Sequence, residues 1–206
     1  MDTAFLIPAF ATLFVVIDPI GLAPIFIALT QGATARHRRA VALRACAIAA
    51  VVLSLFTLFG ESLLGFIGIS MPAFRIAGGI LLFLTALEML FERRGKRRKS
   101  QAETEEDAPD PSVFPMAIPR IAGPGAIASM ILLAGQAQDG VGIASVIGVM
   151  LVVLLIALVM FMAAGLLERV LGQTGITVTT RLLGMLLAAL SVQFVLDGLR
   201  AFGLAG

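Results

Sequence analysis

The stretch Ile17-Asp18-Pro19-Ile20-Gly21-Leu22-Ala23-Pro24 sets an acid, two prolines and a glycine inside an otherwise apolar run. A second stretch of the same kind, Pro119-Arg120-Ile121-Ala122-Gly123-Pro124-Gly125-Ala126, stands in the second half of the chain. Proline has no backbone N–H and clashes with the carbonyl four residues back. Pro8, Pro19 and Pro24 in one run, and Pro115, Pro119 and Pro124 in the other, therefore predict helices that break. Backbone groups released inside a bilayer cannot be left to lipid, so such breaks must face protein or a wet space. A half-helix N-terminus with free N–H groups suits a carboxylate, and exposed carbonyls suit a cation or an ammonium group.

Around these stretches the chain reads as a membrane protein. Of its 206 residues, 59% are hydrophobic and 14% charged, and mean hydropathy is +1.04. Soluble domains carry roughly 25% charged residues. Apolar runs at residues 4–29, 41–66, 72–91, 114–134, 142–167 and 182–203 each match the about 20 residues that cross a bilayer. The chain opens Met1-Asp2-Thr3 without a basic start, and its first run passes Asp18-Pro19 with no A-x-A site, which predicts a retained helix rather than a signal peptide. The expected fold class is all-α, a membrane protein of six transmembrane helices. The single Cys46 reads as a small hydrophobe, and the single histidine, His37, as a solvated loop residue within Arg36-His37-Arg38-Arg39. This inventory gives no basis for a metal site or a Ser-His-Asp triad, so neither catalytic residues nor a resident cofactor are expected. Nucleic acid is not an expected partner.

The two halves resemble each other. Ile17-Asp18-Pro19-Ile20-Gly21 falls on Ala122-Gly123-Pro124-Gly125-Ala126, and Arg75-Ile76-Ala77-Gly78 on Arg181-Leu182-Leu183-Gly184, at a near-constant offset. Three helices per copy turn the second copy upside down. The expectation is two inverted repeats, 1–91 and 114–206, joined by a charged loop at 92–113, with the first and fourth helices broken at mid-membrane. Lysine and arginine gather on one side, in the Arg36–Arg39 cluster, at residues 93–99 and at Arg169. By the positive-inside rule that side is cytoplasmic and both termini are periplasmic.

A charge in the centre of a bilayer costs about 2.5–3.5 kcal/mol on insertion scales and normally faces a partner or a polar space. Asp18, near the middle of the first run, is the leading functional carboxylate, either for a substrate ammonium group or for a coupling proton; a structural ion pair is the alternative. Arg120 stands just before the second break and could neutralise Asp18 or hold a carboxylate. Glu88 reads as a snorkelling or capping residue. Arg75 and Arg181, taken as the starts of the third and sixth helices, are either interfacial anchors or gates. Asp197 and Arg200 read as a local i, i+3 pair.

With Ile17–Phe26, Pro119–Ala126 and the helix start Phe74-Arg75-Ile76-Ala77-Gly78-Gly79 on the page, the chain resembles the MarC family of bacterial inner-membrane proteins over nearly its whole length. The resemblance implies six helices in two halves and kinship with transporters of glycine and alanine. It puts Asp18, Pro19, Gly21, Gly123, Pro124 and Gly125 at the site. The expected function is alternating-access transport of a small zwitterionic substrate across the lipid bilayer, coupled to H+ or Na+. The alternatives are a non-transporting scaffold or accessory protein, and an exporter of another small metabolite. Homo-oligomerisation is left open.

Overall fold

A computed structural model describes residues 3–91, 111–137 and 139–204. Among the described residues all regular structure is helical. In chain order the segments are α1 Thr3–Ile17, α2 Pro19–Leu29, α3 Ala35–Ile67, α4 Met71–Leu90, the irregular α5 Ser112–Ile121, α6 Pro124–Ala134, α7 Gly140–Met162 and α8 Ala164–Ala201. Of the charged loop expected at 92–113, residues 92–110 lie outside the described residues.

Local chemistry sets the ends of these segments. Thr34 caps α3 by accepting a hydrogen bond from the His37 N–H, and the helix stops at Gly68, which takes a left-handed φ of 85°. Ser70 caps α4, with Pro72 in its first turn, and Asp139 caps α7 by accepting from the Gly142 N–H at 2.7 Å. Five spans are long and apolar enough to cross a membrane, with Phe5–Leu29 counted as one, and the bent pair α5–α6 makes up to six.

The interrupted spans lie inside. Within its most apolar window Phe5–Leu29 is 61% buried, against 28–39% for the other four spans. In α6 every residue from Gly125 to Leu133 is buried except Ile127. Around this centre α3, α4, α7 and α8 expose large apolar side chains such as Leu55, Leu84, Leu155 and Leu186. In water that surface would drive aggregation; against lipid it is the expected outer face. Helices α4 and α8 run antiparallel along a close seam. A Cβ on Gly79 would meet the Ser191 carbonyl oxygen at 2.8 Å, one on Gly198 the Pro72 carbonyl oxygen at 3.0 Å, and one on Gly184 the Met89 Cβ at 2.9 Å. Small residues let these backbones approach, which is how helices associate where no hydrophobic drive exists.

Three expectations about helix ends need correction. The Arg36–Arg39 cluster, with His37, is the start of α3 rather than a loop, because Thr34 caps the helix ahead of it; His37 nevertheless stays exposed. Arg38 reaches over the Phe26 ring, 5.9 Å from its centroid. The polar stretch between the fifth and sixth apolar runs is also helical: α7 ends at Met162, and α8 continues from Ala164 through a kink at Gly172, whose φ is 61°. Arg181 therefore lies well inside α8 rather than at a helix start.

Candidate functional site

Asp18 is the single residue between α1 and α2, and among the described residues it is the only non-glycine with positive φ. It sits at φ 53°, ψ 63°, a left-handed conformation that aspartate and asparagine tolerate better than most residues. Its Oδ1 accepts a hydrogen bond from the Gly21 N–H at 3.0 Å, so the carboxylate caps α2. The ladder continues on both sides: the Asp18 N–H donates to the Phe14 carbonyl and the Leu22 N–H to the Asp18 carbonyl, each at 3.0 Å. Pro19 has no N–H for the Val15 carbonyl, and the Gly21 N–H turns to the Asp18 carboxylate, so the ladder is interrupted here. Gly21 makes the arrangement sterically feasible, because a Cβ there would stand 2.1 Å from Asp18 Oδ2. The whole Asp18 residue is 0% exposed.

The second interruption is wider. Phe114 and Ile118, each followed by proline, adopt extended dihedrals within α5, as steric crowding from the proline ring demands. Phe114-Pro115 and Ile118-Pro119 are cis. The Ala122 N–H reaches back to the Ala117 carbonyl at 2.8 Å, and the chain then turns through 55° into α6. A Cβ on Gly123 would lie 2.5 Å from the Pro119 carbonyl oxygen, so the turn admits only glycine without rearrangement. No side chain caps α6. Arg120 is 4% exposed, in the last turn of α5.

The two interruptions come together at Gly125. A Cβ there would lie 3.3 Å from Leu82 Cδ2, 3.4 Å from Val16 Cγ1 and 3.6 Å from Thr85 Oγ1. The first turn of α6 thus packs on the end of α1, just before Asp18, and on the middle of α4. Of the residues expected at a site, Asp18, Pro19 and Gly21 form one cluster, Arg120, Gly123, Pro124 and Gly125 form the other, and Val16 meets Gly125 between them. Glu88, Arg75 and Arg181 are elsewhere, on the α4–α8 seam. In the register of that seam half-buried Glu88 stands at about the level of Gly184, one turn from exposed Arg181, and Arg75 at about the level of Asp197. Asp197 pairs with Arg200 at 3.8 Å, as the i, i+3 spacing suggested, and accepts from Gln193 Nε2 at 2.8 Å. Sequence reasoning missed Thr85 and the fully buried Ser129 of α6; a hydroxyl within an apolar run was the only available signal. Among the described residues no group of three or more His, Cys, Asp or Glu could hold a metal ion.

Residues 3–202 match the family model described as MarC family integral membrane protein. The chain belongs to the MarC family. MarC-family relatives include a UPF0056 membrane protein of Archaeoglobus fulgidus, 39% identical over 200 residues that cover 95% of this chain and 92% of the relative. YhcE of Escherichia coli is 37% identical over 196 residues, covering 93% and 90%. YvbG of Bacillus subtilis is 37% identical over 205 residues, covering 97% and 96%. Both are also named as UPF0056 membrane proteins. MarC-like chains thus occur in archaea as well as bacteria, and the names of these relatives state no substrate. No solved structure matches. MarC membership makes this a multi-pass integral membrane protein.

Proposed function

We propose that this MarC-family protein is a secondary transporter of small neutral amino acids, working by alternating access around the paired interruptions. The observation that carries the reading is that both buried spans leave helical geometry beside a buried charge, Asp18 in one and Arg120 in the other, and that the two places meet at Gly125. A structure needing only hydrophobic spans would not retain two charges that each disfavour insertion by about 2.5–3.5 kcal/mol.

In this reading the substrate carboxylate lies at the uncapped N-terminus of α6 or on Arg120, and its ammonium group lies near Asp18. The partial positive charge and unsatisfied N–H groups of a helix start suit the first contact. Asp18 combines two tasks, since Oδ1 already caps α2. Movement of charge at Asp18 would then act directly on the α1–α2 junction, which offers a simple route for H+ to couple to the helix break; Na+ is the alternative coupling ion. Support for two inverted three-helix repeats comes from the α4–α8 seam, where Gly79 meets Ser191 and Val195 while Gly184 meets Ala86 and Met89. Gly79 and Gly184, Ala86 and Ser191, and Met89 and Val195 are pairs of positions at the repeat spacing, and their exchanged contacts suit a pseudo-two-fold axis lying in the membrane plane. In this arrangement the basic loops face the cytoplasm and both termini the opposite side.

Uptake of glycine, alanine and serine by purified protein in liposomes, with and without a proton or sodium gradient, tests the proposal. Saturable flux of at least one of these is expected, with Asp18→Asn and Arg120→Ala inactive. Absence of flux for all three, or full flux in both variants, removes this mechanism.

A further inference from the structure

We propose that the Ser129 hydroxyl binds the ligand directly, donating a hydrogen bond to the carboxylate of a small amino acid held at the N-terminus of α6. The proposal rests on the transport reading above and adds a residue to its site. Ser129 is 0% exposed, and its Oγ has no hydrogen-bond partner. Other hydroxyls in the spans turn back on their own helix, the half-buried Thr180 of α8 being an exception. Thr12 donates to the Pro8 carbonyl at 2.8 Å, Thr30 to Phe26 at 2.7 Å, Thr57 to Leu53 at 2.7 Å and Ser191 to Ala188 at 2.7 Å. Ser129 has the same choice in the Gly125 carbonyl, one turn back, and does not take it. A buried hydroxyl with no partner is costly, and such groups call for a functional account.

Its place on the helix indicates what that account is. Side chains on a helix lean toward its N-terminus and lie over the preceding turn. For Ser129 that turn is Gly125, the place where Leu82 and Thr85 of α4 and Val16 of α1 close in. The same turn is the start of α6. Pro124 has no N–H, and Gly123 supplies no side-chain cap, which leaves the N–H groups of Gly125 and Ala126 without intrahelical acceptors. The nearby Thr85 hydroxyl spends its proton on the Leu81 carbonyl at 3.0 Å. One hydroxyl donor, two backbone donors and the positive end of a helix therefore converge, which is the chemistry of carboxylate recognition.

The test compares wild type with Ser129→Ala and Ser129→Cys, purified in detergent, by thermal unfolding across a titration of glycine, with glycinamide as a probe that lacks the carboxylate. Without ligand, Ser129→Ala should be at least as stable as wild type, because it deletes an unpartnered buried hydroxyl. Its affinity for glycine should fall about tenfold or more, with glycinamide unaffected by the substitution. Should Ser129→Ala not fold, Ser129→Cys, close in size and a weak donor, is read in the same way. Equal glycine affinity in wild type and variants overturns this inference and leaves the transport reading intact. A loss of ligand-free stability in both variants, with glycine affinity unchanged in whatever folds, makes the hydroxyl structural and also overturns it. If wild type neither responds to glycine nor transports any small amino acid, the transport reading falls and takes this inference with it.

Discussion

Asp18 carries a cap and a charge on one side chain, and substitution can separate them. Asparagine tolerates the left-handed conformation and caps helices about as well as aspartate, so Asp18→Asn should stay within about 1 kcal/mol of wild-type stability while losing transport. Asp18→Ala loses the bond to the Gly21 N–H and places alanine at φ 53°, which should cost about 1–2 kcal/mol for the cap and a similar amount for the backbone. Chemical denaturation in detergent distinguishes the two. Gly21→Ala acts on the same bond from the other side, because its Cβ would displace a carboxylate 2.1 Å away; a loss of about 1–2 kcal/mol is expected in the same assay. The break at Asp18-Pro19 was legible in the sequence because a missing N–H belongs to proline itself. The cap was not, since it depends on a dihedral and on a contact that only folding creates. Ser129 escaped notice for a related reason: a serine in an apolar run normally bonds to its own helix, and only coordinates reveal that this one does not.

Hydropathy marked the apolar core of each candidate span, but not where each helix ends. The Arg36–Arg39 cluster and the polar residues before Arg181 are too hydrophilic for a hydrocarbon core, yet both are helical, because a helix can continue past the bilayer into water. Nor could the runs show which face meets the protein centre, since the lipid-facing side of α7 is as apolar as its buried side. The small residues of α4 and α8 were the better guide to packing, and they make a clear prediction. Gly79→Val should force apart backbones that a single Cβ would already bring within 2.8 Å of the Ser191 carbonyl oxygen, and thermal unfolding should fall by several degrees. Gly148→Ala, in α7 with nothing within 4 Å of the new Cβ, should be neutral or slightly stabilising, by roughly 0.5–1 kcal/mol from helix propensity alone. Equal effects at the two positions would contradict the seam.

The enclosure of two interrupted spans by four helices with apolar outer faces is what the proposed transport reading builds on, and it makes membrane topology a property of the assembled protein. With buried Cys46 replaced by alanine, Leu204→Cys should react with a membrane-impermeant maleimide in intact cells and Thr34→Cys only after lysis, since basic residues gather on the Thr34 side. The reverse pattern would invert the orientation and leave the site geometry unchanged. The most direct measurement is counterflow in liposomes preloaded with unlabelled glycine or alanine. Wild type should accumulate the external labelled amino acid saturably, and Asp18→Asn, folded to the same stability, should not. Absence of saturable exchange for every small neutral amino acid, or undiminished exchange in Asp18→Asn, would contradict the account.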